Sequence, residues 1–158
     1  MFMQYFRFYL PIICLFFIIS CGGGTDGDIQ YFDKEKTKKW WERIQQPDGT
    51  SLLTYYYPSG KKRKEERYLD NKLHGKFMKW YDNENIEVDK TFKNGLKDGK
   101  HIRYYSNGAV SAEQNYNEGA LDGKWKYFYE NGNLWLEERY EGGEMVEHTR
   151  HRVNKQDA

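Results

Sequence analysis

The stretch from Gly123 to Tyr140 reads Gly-Lys-Trp-Lys-Tyr-Phe-Tyr, then Glu-Asn-Gly-Asn, then Leu-Trp-Leu-Glu-Glu-Arg-Tyr. Its first and last runs are rich in aromatic and branched residues, which favour β-strands. The Asn131-Gly132 pair between them readily supplies the positive φ of a tight turn. The stretch therefore predicts a β-hairpin.

The hairpin pattern recurs every 24 residues through the middle of the chain. Gly75-Lys76, Gly99-Lys100 and Gly123-Lys124 keep this spacing. So do five further columns: Tyr57, Tyr81, Tyr105 and Tyr129; Tyr56, Trp80, Tyr104 and Phe128; Tyr68, Phe92, Tyr116 and Tyr140; the acids Glu65, Asp89, Glu113 and Glu137; and the turn residues Gly60, Glu84, Gly108 and Gly132. A fixed period of this length indicates a repeat architecture.

Four such hairpins predict an all-β fold, in which tandem repeats form one elongated antiparallel sheet of eight strands. A single hairpin is marginal in water, so neighbouring units supply the stability. Pairing Tyr81 with Ile86 would group two sets on one face: Phe77, Tyr81, Ile86, Val88 and Phe92; and Trp125, Tyr129, Leu134, Leu136 and Tyr140. We expect that face to be the more buried, although a slip of one residue would exchange the faces.

The pattern of residues 123–140 resembles the bacterial MORN repeat variant, over about Ser51 to Val146. It also resembles the YwqK-family antitoxin proteins, many of them lipoproteins, and that resemblance implies a protein-neutralising role. Unit 1 departs from the pattern most, with Leu52-Leu53 in place of Lys-Trp and a basic run over residues 61–64. In unit 2, Glu84 replaces the turn glycine.

The N-terminus has the pattern of an export signal. Residues 8–19 form an apolar run of about 18 Å as a helix, too short to span a bilayer of about 30 Å. The run ends in Ile-Ile-Ser-Cys21, which resembles the bacterial lipobox. That resemblance implies cleavage after residue 20, lipidation of Cys21 with fatty acyl chains such as palmitate, and attachment to the cell envelope, at the outer membrane. An ordinary signal anchor with an incidental cysteine is the alternative.

These signals divide the chain into five parts. Residues 1–20 are the predicted signal peptide, 21–30 the lipidated cysteine with a flexible tether, and 51–146 the four repeats. Residues 31–50 are a degenerate N-terminal cap, either an opening hairpin or a short helix from Lys34 to Arg43. Residues 147–158 are a polar tail that frays or adds one short closing strand.

The sequence argues against catalysis and against a cofactor or metal. The net charge of +1 excludes a strongly basic nucleic-acid binder. The mature chain would have no free cysteine, and its serines lack the context of a nucleophile. His148 and His151 could share a metal only on a helix, for which no start signal exists. His74 is expected in a turn and His101 as a packing residue.

Two columns form the candidate binding surface: the aromatic column Tyr56, Trp80, Tyr104 and Phe128, and the acidic column Glu65, Asp89, Glu113 and Glu137. Under the register above they share the less buried face. Aromatics beside acids can hold cationic side chains or stack on sugars. We therefore expect a non-catalytic, membrane-anchored module that binds a protein or peptide, with a structural or glycan-binding envelope lipoprotein as the alternative. Both columns could instead serve the sheet itself, with the acids paired to lysines on neighbouring strands.

Overall fold

The computed structural model describes residues 27–152, which form one open antiparallel sheet. Its 13 strands are β1 (Ile29–Tyr31), β2 (Lys39–Gln45), β3 (Ser51–Tyr56), β4 (Lys62–Leu69), β5 (Lys72–Trp80), β6 (Ile86–Lys93), β7 (Leu96–Lys97), β8 (Gly99–Tyr104), β9 (Val110–Asn117), β10 (Ala120–Leu121), β11 (Gly123–Phe128), β12 (Leu134–Glu141) and β13 (Glu144–Arg150). Strands lie side by side in chain order, except that the short β7 and β10 pair with β6 and β9. The predicted fold class is confirmed, but the expected eight strands are too few. The ends of the array add β1, β2 and β13, and the short β7 and β10 lie between units.

Each repeat is a hairpin closed by a five-residue turn. In unit 2, the backbone N–H of Tyr81 donates to the carbonyl of Asn85, and the backbone N–H of Glu84 donates to the carbonyl of Tyr81. The turn column has a positive φ in every unit, 87° at Gly60 and 69° at Glu84. This conformation explains the glycine preference, and Glu84 adopts it as a non-glycine residue.

A one-residue bulge beside each turn corrects the expected register. In unit 2 the register shifts between Lys79 and Trp80. Ile86 therefore pairs with Trp80, and not with Tyr81 as expected. In unit 4, Leu134 likewise pairs with Phe128. Opposed residues lie on the same face, so Ile86 and Leu134 belong with the aromatic column and not with the more buried set.

The core is a continuous row of rings along one face, which we call the core face. The members of this aromatic row are Phe77, Phe92, His101, Tyr116, Trp125 and Tyr140, and consecutive ring centroids lie between 4.7 and 6.0 Å apart. The row interleaves two of the 24-residue columns. His101 has a relative exposure of 2% and Trp125 of 6%, while Leu53, Val88, Ala112 and Leu136 are buried beside the row. The face expected to be more buried is therefore the core face.

A second column joins each unit to the next through a hydrogen bond. The hydroxyl of Tyr57 donates to the carbonyl of Trp80 at 2.8 Å, Tyr81 to Tyr104 at 2.9 Å, and Tyr105 to Phe128 at 2.7 Å. Tyr129 has no following unit and is 44% exposed, with its ring beside Trp135. The regular spacing of this column thus reflects an inter-unit bond, which Tyr129 does not form with any described residue.

The ends of the described sheet depart from the repeat. The helix alternative for Lys34 to Arg43 is wrong, because β2 covers much of this segment and pairs with β3. At the other end, β13 extends to Arg150, across the expected boundary at residue 147. Inside the array, Glu113 pairs with Lys126, so the 24-residue period would pair Glu137 with Arg150. Glu137 instead pairs with Thr149, one residue out of register. All of β13 is exposed.

We expect Tyr81→Phe to lower the free energy of unfolding by about 1 kcal/mol, because the variant leaves the Tyr104 carbonyl without its donor. Tyr129→Phe is the matched control in the same column and should change it by less than about 0.5 kcal/mol. Urea unfolding of both variants measures this difference. Equal losses would contradict the inter-unit role of the column.

Candidate binding surface

The aromatic and acidic columns lie on one face of the sheet, which we call the ion-pair face. Glu65 pairs with Thr54 and Asp89 with Met78, and the same pairing repeats in units 3 and 4. Tyr56 and Trp80 follow those partners by two residues on the same strands. Side chains two residues apart point to the same side, so the two columns share this face.

Lysines neutralise the acidic column. The distance between the lysine nitrogen and the carboxylate is 2.7 Å for Lys76–Asp89 and 3.1 Å for Lys100–Glu113. Lys124 lies 3.1 Å from Glu137, and Lys62 pairs with Glu65 in unit 1. The hydrogen bond from Lys124 keeps the pKa of Glu137 below its usual value. The repeated Gly-Lys motif thus supplies a counter-ion for Asp89, Glu113 and Glu137, and Lys62 supplies one for Glu65. The column therefore has little free charge with which to bind a cationic partner.

The aromatic column remains half-buried and accessible. Tyr56 and Trp80 line a depression of about 590 Å³ together with Lys61, Lys62 and Glu84. The Tyr56 hydroxyl donates to Glu42 of β2; burial and this carboxylate raise the pKa of Tyr56. The site can therefore offer ring faces and a polar rim to a ligand.

A second depression, on the core face, escaped the sequence reasoning. Three cations and one carboxylate line it, Lys79, Lys90, Arg103 and Glu87, together with Phe77, Tyr81, Val88, Tyr104, Tyr105 and Ser111. These residues come from β5, β6, β8 and β9 and from the adjoining turns. A signal existed in the sequence, because Lys90 stands where units 1, 3 and 4 have Glu66, Gln114 and Glu138.

His101 is a packing residue, as expected. Its Nε2–H donates to the carbonyl of Thr91 at 2.9 Å, and Trp125 Nε1–H donates to the equivalent carbonyl of Asn115 at 3.0 Å. The ring nitrogen Nδ1 is buried without a partner. Burial lowers the pKa of His101, and the charges of Lys90 and Lys97 add to that effect. A neutral imidazole thus replaces an indole in the aromatic row.

The other candidate histidines form no metal site. His74 lies at a unit junction, with Nδ1 3.3 Å from Asn94 Oδ1. His148 lies on β13 rather than on a helix, and within residues 27–152 no group of three or more potential ligands could hold a metal ion. Residues 27–152 contain no helix long and apolar enough to cross a membrane. Cys21 lies outside the described residues.

Matches to the model of the MORN repeat variant cover residues 52–70, 73–94, 97–118 and 121–141, more than half of the chain. The chain belongs to the MORN repeat variant family. Repeats of this family are generally non-catalytic and suggest a repeat-based binding module. The family match bears on neither the lipoprotein prediction nor the likeness to YwqK-family antitoxins, and both stay predictions.

Other proteins add little to this MORN repeat assignment. No curated protein matches the chain. Two structures of TarM are similar to it: the S. aureus mutant in complex with Fondaparinux, alpha-GlcNAc-glycerol and UDP (TM-score 0.42, 11% identity), and TarM itself (TM-score 0.41, 10% identity). Each likeness covers 60% of this chain but 18% of the TarM chain, and it carries no argument about function.

The buried neutral state of His101 predicts acid sensitivity. The pKa of His101 is lower in the folded protein than the value of about 6.5 in the unfolded chain. The contribution of the neutral imidazole to stability is therefore fully present above a pH of about 6.5. It is lost as the pH falls towards the folded pKa, because the unfolded chain then binds a proton that the folded protein does not. His101→Phe should remove this acid-dependent loss of unfolding free energy, which amounts to at most about 1.4 kcal/mol per pH unit. Unfolding free energies between pH 7.5 and 4.5 measure it.

Phe92→Leu is the matched control for this experiment, since it disturbs the neighbouring ring without removing a titrating group. We expect it to lower stability by a similar amount at every pH. Parallel profiles for the wild type and His101→Phe would contradict the role of the imidazole.

Proposed function

We propose that this chain is a lipid-anchored, non-catalytic module of the bacterial cell envelope that binds a protein or peptide partner along its ion-pair face. The aromatic column is the observation that carries the proposal. Its four rings recur once per unit, at intervals of about 9.6 Å, two strand spacings. They lie on a face that no second layer of residues 27–152 covers. Aromatic side chains in such positions supply large contact areas at low entropic cost.

The charges of the same face support a protein ligand. Because each acid has its own lysine, the face presents alternating paired charges around the rings rather than one dominant sign. Polar rims around aromatic centres are typical of protein interfaces. Binding by such a face would depend on the rings and only weakly on ionic strength.

The described residues offer no constellation suited to catalysis. Ser59 Oγ donates to Asp82, a carboxylate exposed in a turn, and no serine in residues 27–152 is hydrogen-bonded to a histidine. The most buried histidine, His101, is engaged with a backbone carbonyl within the aromatic row. These observations favour binding over turnover.

The first strands support attachment near a membrane. Ile29, Phe32 and Trp40 are each more than 40% exposed, and the rings of Phe32 and Trp40 lie 6.2 Å apart. Ile29 lies eight residues after Cys21, and aromatic rings favour the interface between lipid and water. An acylated Cys21 would hold this edge close to the bilayer.

Capture from native envelope extract tests the binding proposal. The full chain in detergent should retain one protein at defined stoichiometry, and Trp80→Ala with Tyr104→Ala should weaken its binding about tenfold or more. Trp135→Ala is the control and should retain the partner, because the Trp135 ring lies 5.7 Å from the ring of Tyr127, which pairs with Leu136 on the core face. An antitoxin role requires the partner to be a toxin that this chain neutralises.

Two results would overturn this proposal. Undiminished capture by the Trp80→Ala, Tyr104→Ala variant would exclude the aromatic column as the contact surface. Retention of envelope polysaccharide with no protein would favour the glycan-binding alternative.

The anchor has its own test. Cys21→Ser should leave an uncleaved, unlipidated precursor, because the cysteine sulfur is the site of lipid attachment in proteins with this motif. Mass spectrometry of the N-terminus and partition into detergent measure the outcome. Normal cleavage of the variant would contradict the lipobox interpretation, and the binding proposal would then be tested without an anchor.

A further inference from the structure

The core face contains a basic depression of about 460 Å³ between units 2 and 3, lined by Lys79, Lys90 and Arg103. Val88 is buried between these residues, and Arg103 is exposed to solvent. The rest of the lining consists of Phe77, Tyr81, Glu87, Tyr104, Tyr105 and Ser111. Its three cations lie on the opposite side of the sheet from the aromatic column, of which Tyr104 also lines the depression.

Strand pairing fixes how the three cations converge. Val88 pairs with Lys79 on one side and with Arg103 on the other. Lys90 follows Val88 by two residues on β6 and therefore points to the same face. The three long side chains thus surround one buried valine, from three adjacent strands.

The depression has an excess of positive charge. Glu87 lies 2.6 Å from Lys79 and neutralises it. Among the described residues, no carboxylate oxygen lies within 4.0 Å of the Lys90 ammonium or the Arg103 guanidinium, so neither forms an ion pair. Lys97 adds a further cation nearby, with its ammonium 4.5 Å from the Tyr116 ring centroid. Burial lowers the pKa of Lys90, and repulsion from Arg103, Lys97 and Lys79 lowers it further.

Comparison between units shows that the fold does not require these cations. Units 1 and 4 have a glutamate at the position of Lys90, Glu66 and Glu138. Each glutamate accepts a hydrogen bond from the hydroxyl of the tyrosine two residues later, Tyr68 or Tyr140. Unit 2 replaces that pair by Lys90 and Phe92. Likewise Tyr55 and Tyr127 stand at the positions of Lys79 and Arg103. The two central units have exchanged a neutral or acidic surface for a basic one.

We propose that this depression is a binding site for a phosphate-bearing ligand. A phosphomonoester has a charge of about −1.5 to −2 at pH 7 and three acceptor oxygens, which match two unpaired cations and the Ser111 hydroxyl. The guanidinium fork of Arg103 can bind two of the oxygens at once. A single carboxylate has half the charge and leaves one cation without a partner. The rings of Tyr81 and Tyr105 form walls against which the organic part of the ligand can pack.

Titration of the full chain in detergent with inorganic phosphate, followed by calorimetry, tests the proposal. We expect saturable binding that weakens as sodium chloride is raised. Lys90→Gln with Arg103→Gln should lower the affinity by about tenfold or more. Lys76→Gln with Lys100→Gln removes two cations from the opposite face as the matched control, and its affinity should stay within about twofold of the wild type.

Thermal unfolding separates binding from a structural role of Lys90, which also lies 5.6 Å from the Phe77 ring centroid. Without phosphate, Lys90→Gln should melt at or above the wild-type temperature, because repulsion is relieved. With phosphate, only the wild type should gain stability. A Lys90→Gln protein that is less stable, together with a wild type that phosphate does not stabilise, would overturn the proposal.

Further probes identify the source of the phosphate and its competitors. Binding to phosphatidylcholine vesicles containing phosphatidic acid, competed by inorganic phosphate and lost in the double variant, would assign a lipid headgroup. Phosphate binding without vesicle binding would assign a soluble ligand. A hepta-glutamate peptide that binds more tightly than phosphate would overturn the assignment in favour of an acidic protein segment. Trp80→Ala should leave phosphate binding intact, so this site and the proposed partner surface can fail separately.

Discussion

A sheet one layer thick has no second layer against which to bury its side chains, and this constraint governs the described part of the chain. Most domains pack two layers around one core. Here burial has to come from neighbours within the same face, so the side chains must be wide enough to touch across the strand spacing. Aromatic rings meet that requirement, and each ring contact adds about 1 kcal/mol beyond the area that it buries. The row from Phe77 to Tyr140 is therefore the core, which explains why the chain is rich in tyrosine and tryptophan but poor in aliphatic residues.

The same constraint explains which positions are uniform among the units. The row positions accept any flat ring, and His101 even reproduces the hydrogen bond of the Trp125 indole. The acidic column is uniform for another reason, because each acid needs a nearby cation. The Gly-Lys motif supplies that cation across the strand pair in units 2, 3 and 4. Exposed ion pairs contribute little each, but they keep a solvent-facing side of the sheet free of unpaired charge.

The repeat period was enough to predict the hairpins, their antiparallel order and the columns, because these depend on local strand and turn preferences. The partner of Ile86 was predicted wrongly, since the bulge after Lys79 depends on how the turn matches the twist of its strands. The cap of residues 31–50 was ambiguous because it lacks the period, and only its pairing with β3 decides for strands. The basic depression was missed because its members are far apart in sequence. Each looks like an ordinary surface cation until the units are aligned and the neighbouring columns compared.

A strictly periodic surface limits what recognition can achieve. Identical units present the same contact several times, which strengthens binding through multiple attachment but gives a partner no unique register along the array. Uniqueness has to come from positions where one unit differs from the others. The aromatic and acidic columns keep a ring and a lysine-paired acid in every unit, whereas the core face of units 2 and 3 becomes basic at Lys90 and Arg103. The uniform columns therefore hold the sheet together and provide area. The departures at Lys90 and Arg103 bring like charges together, and they are the positions at which we propose that a ligand binds.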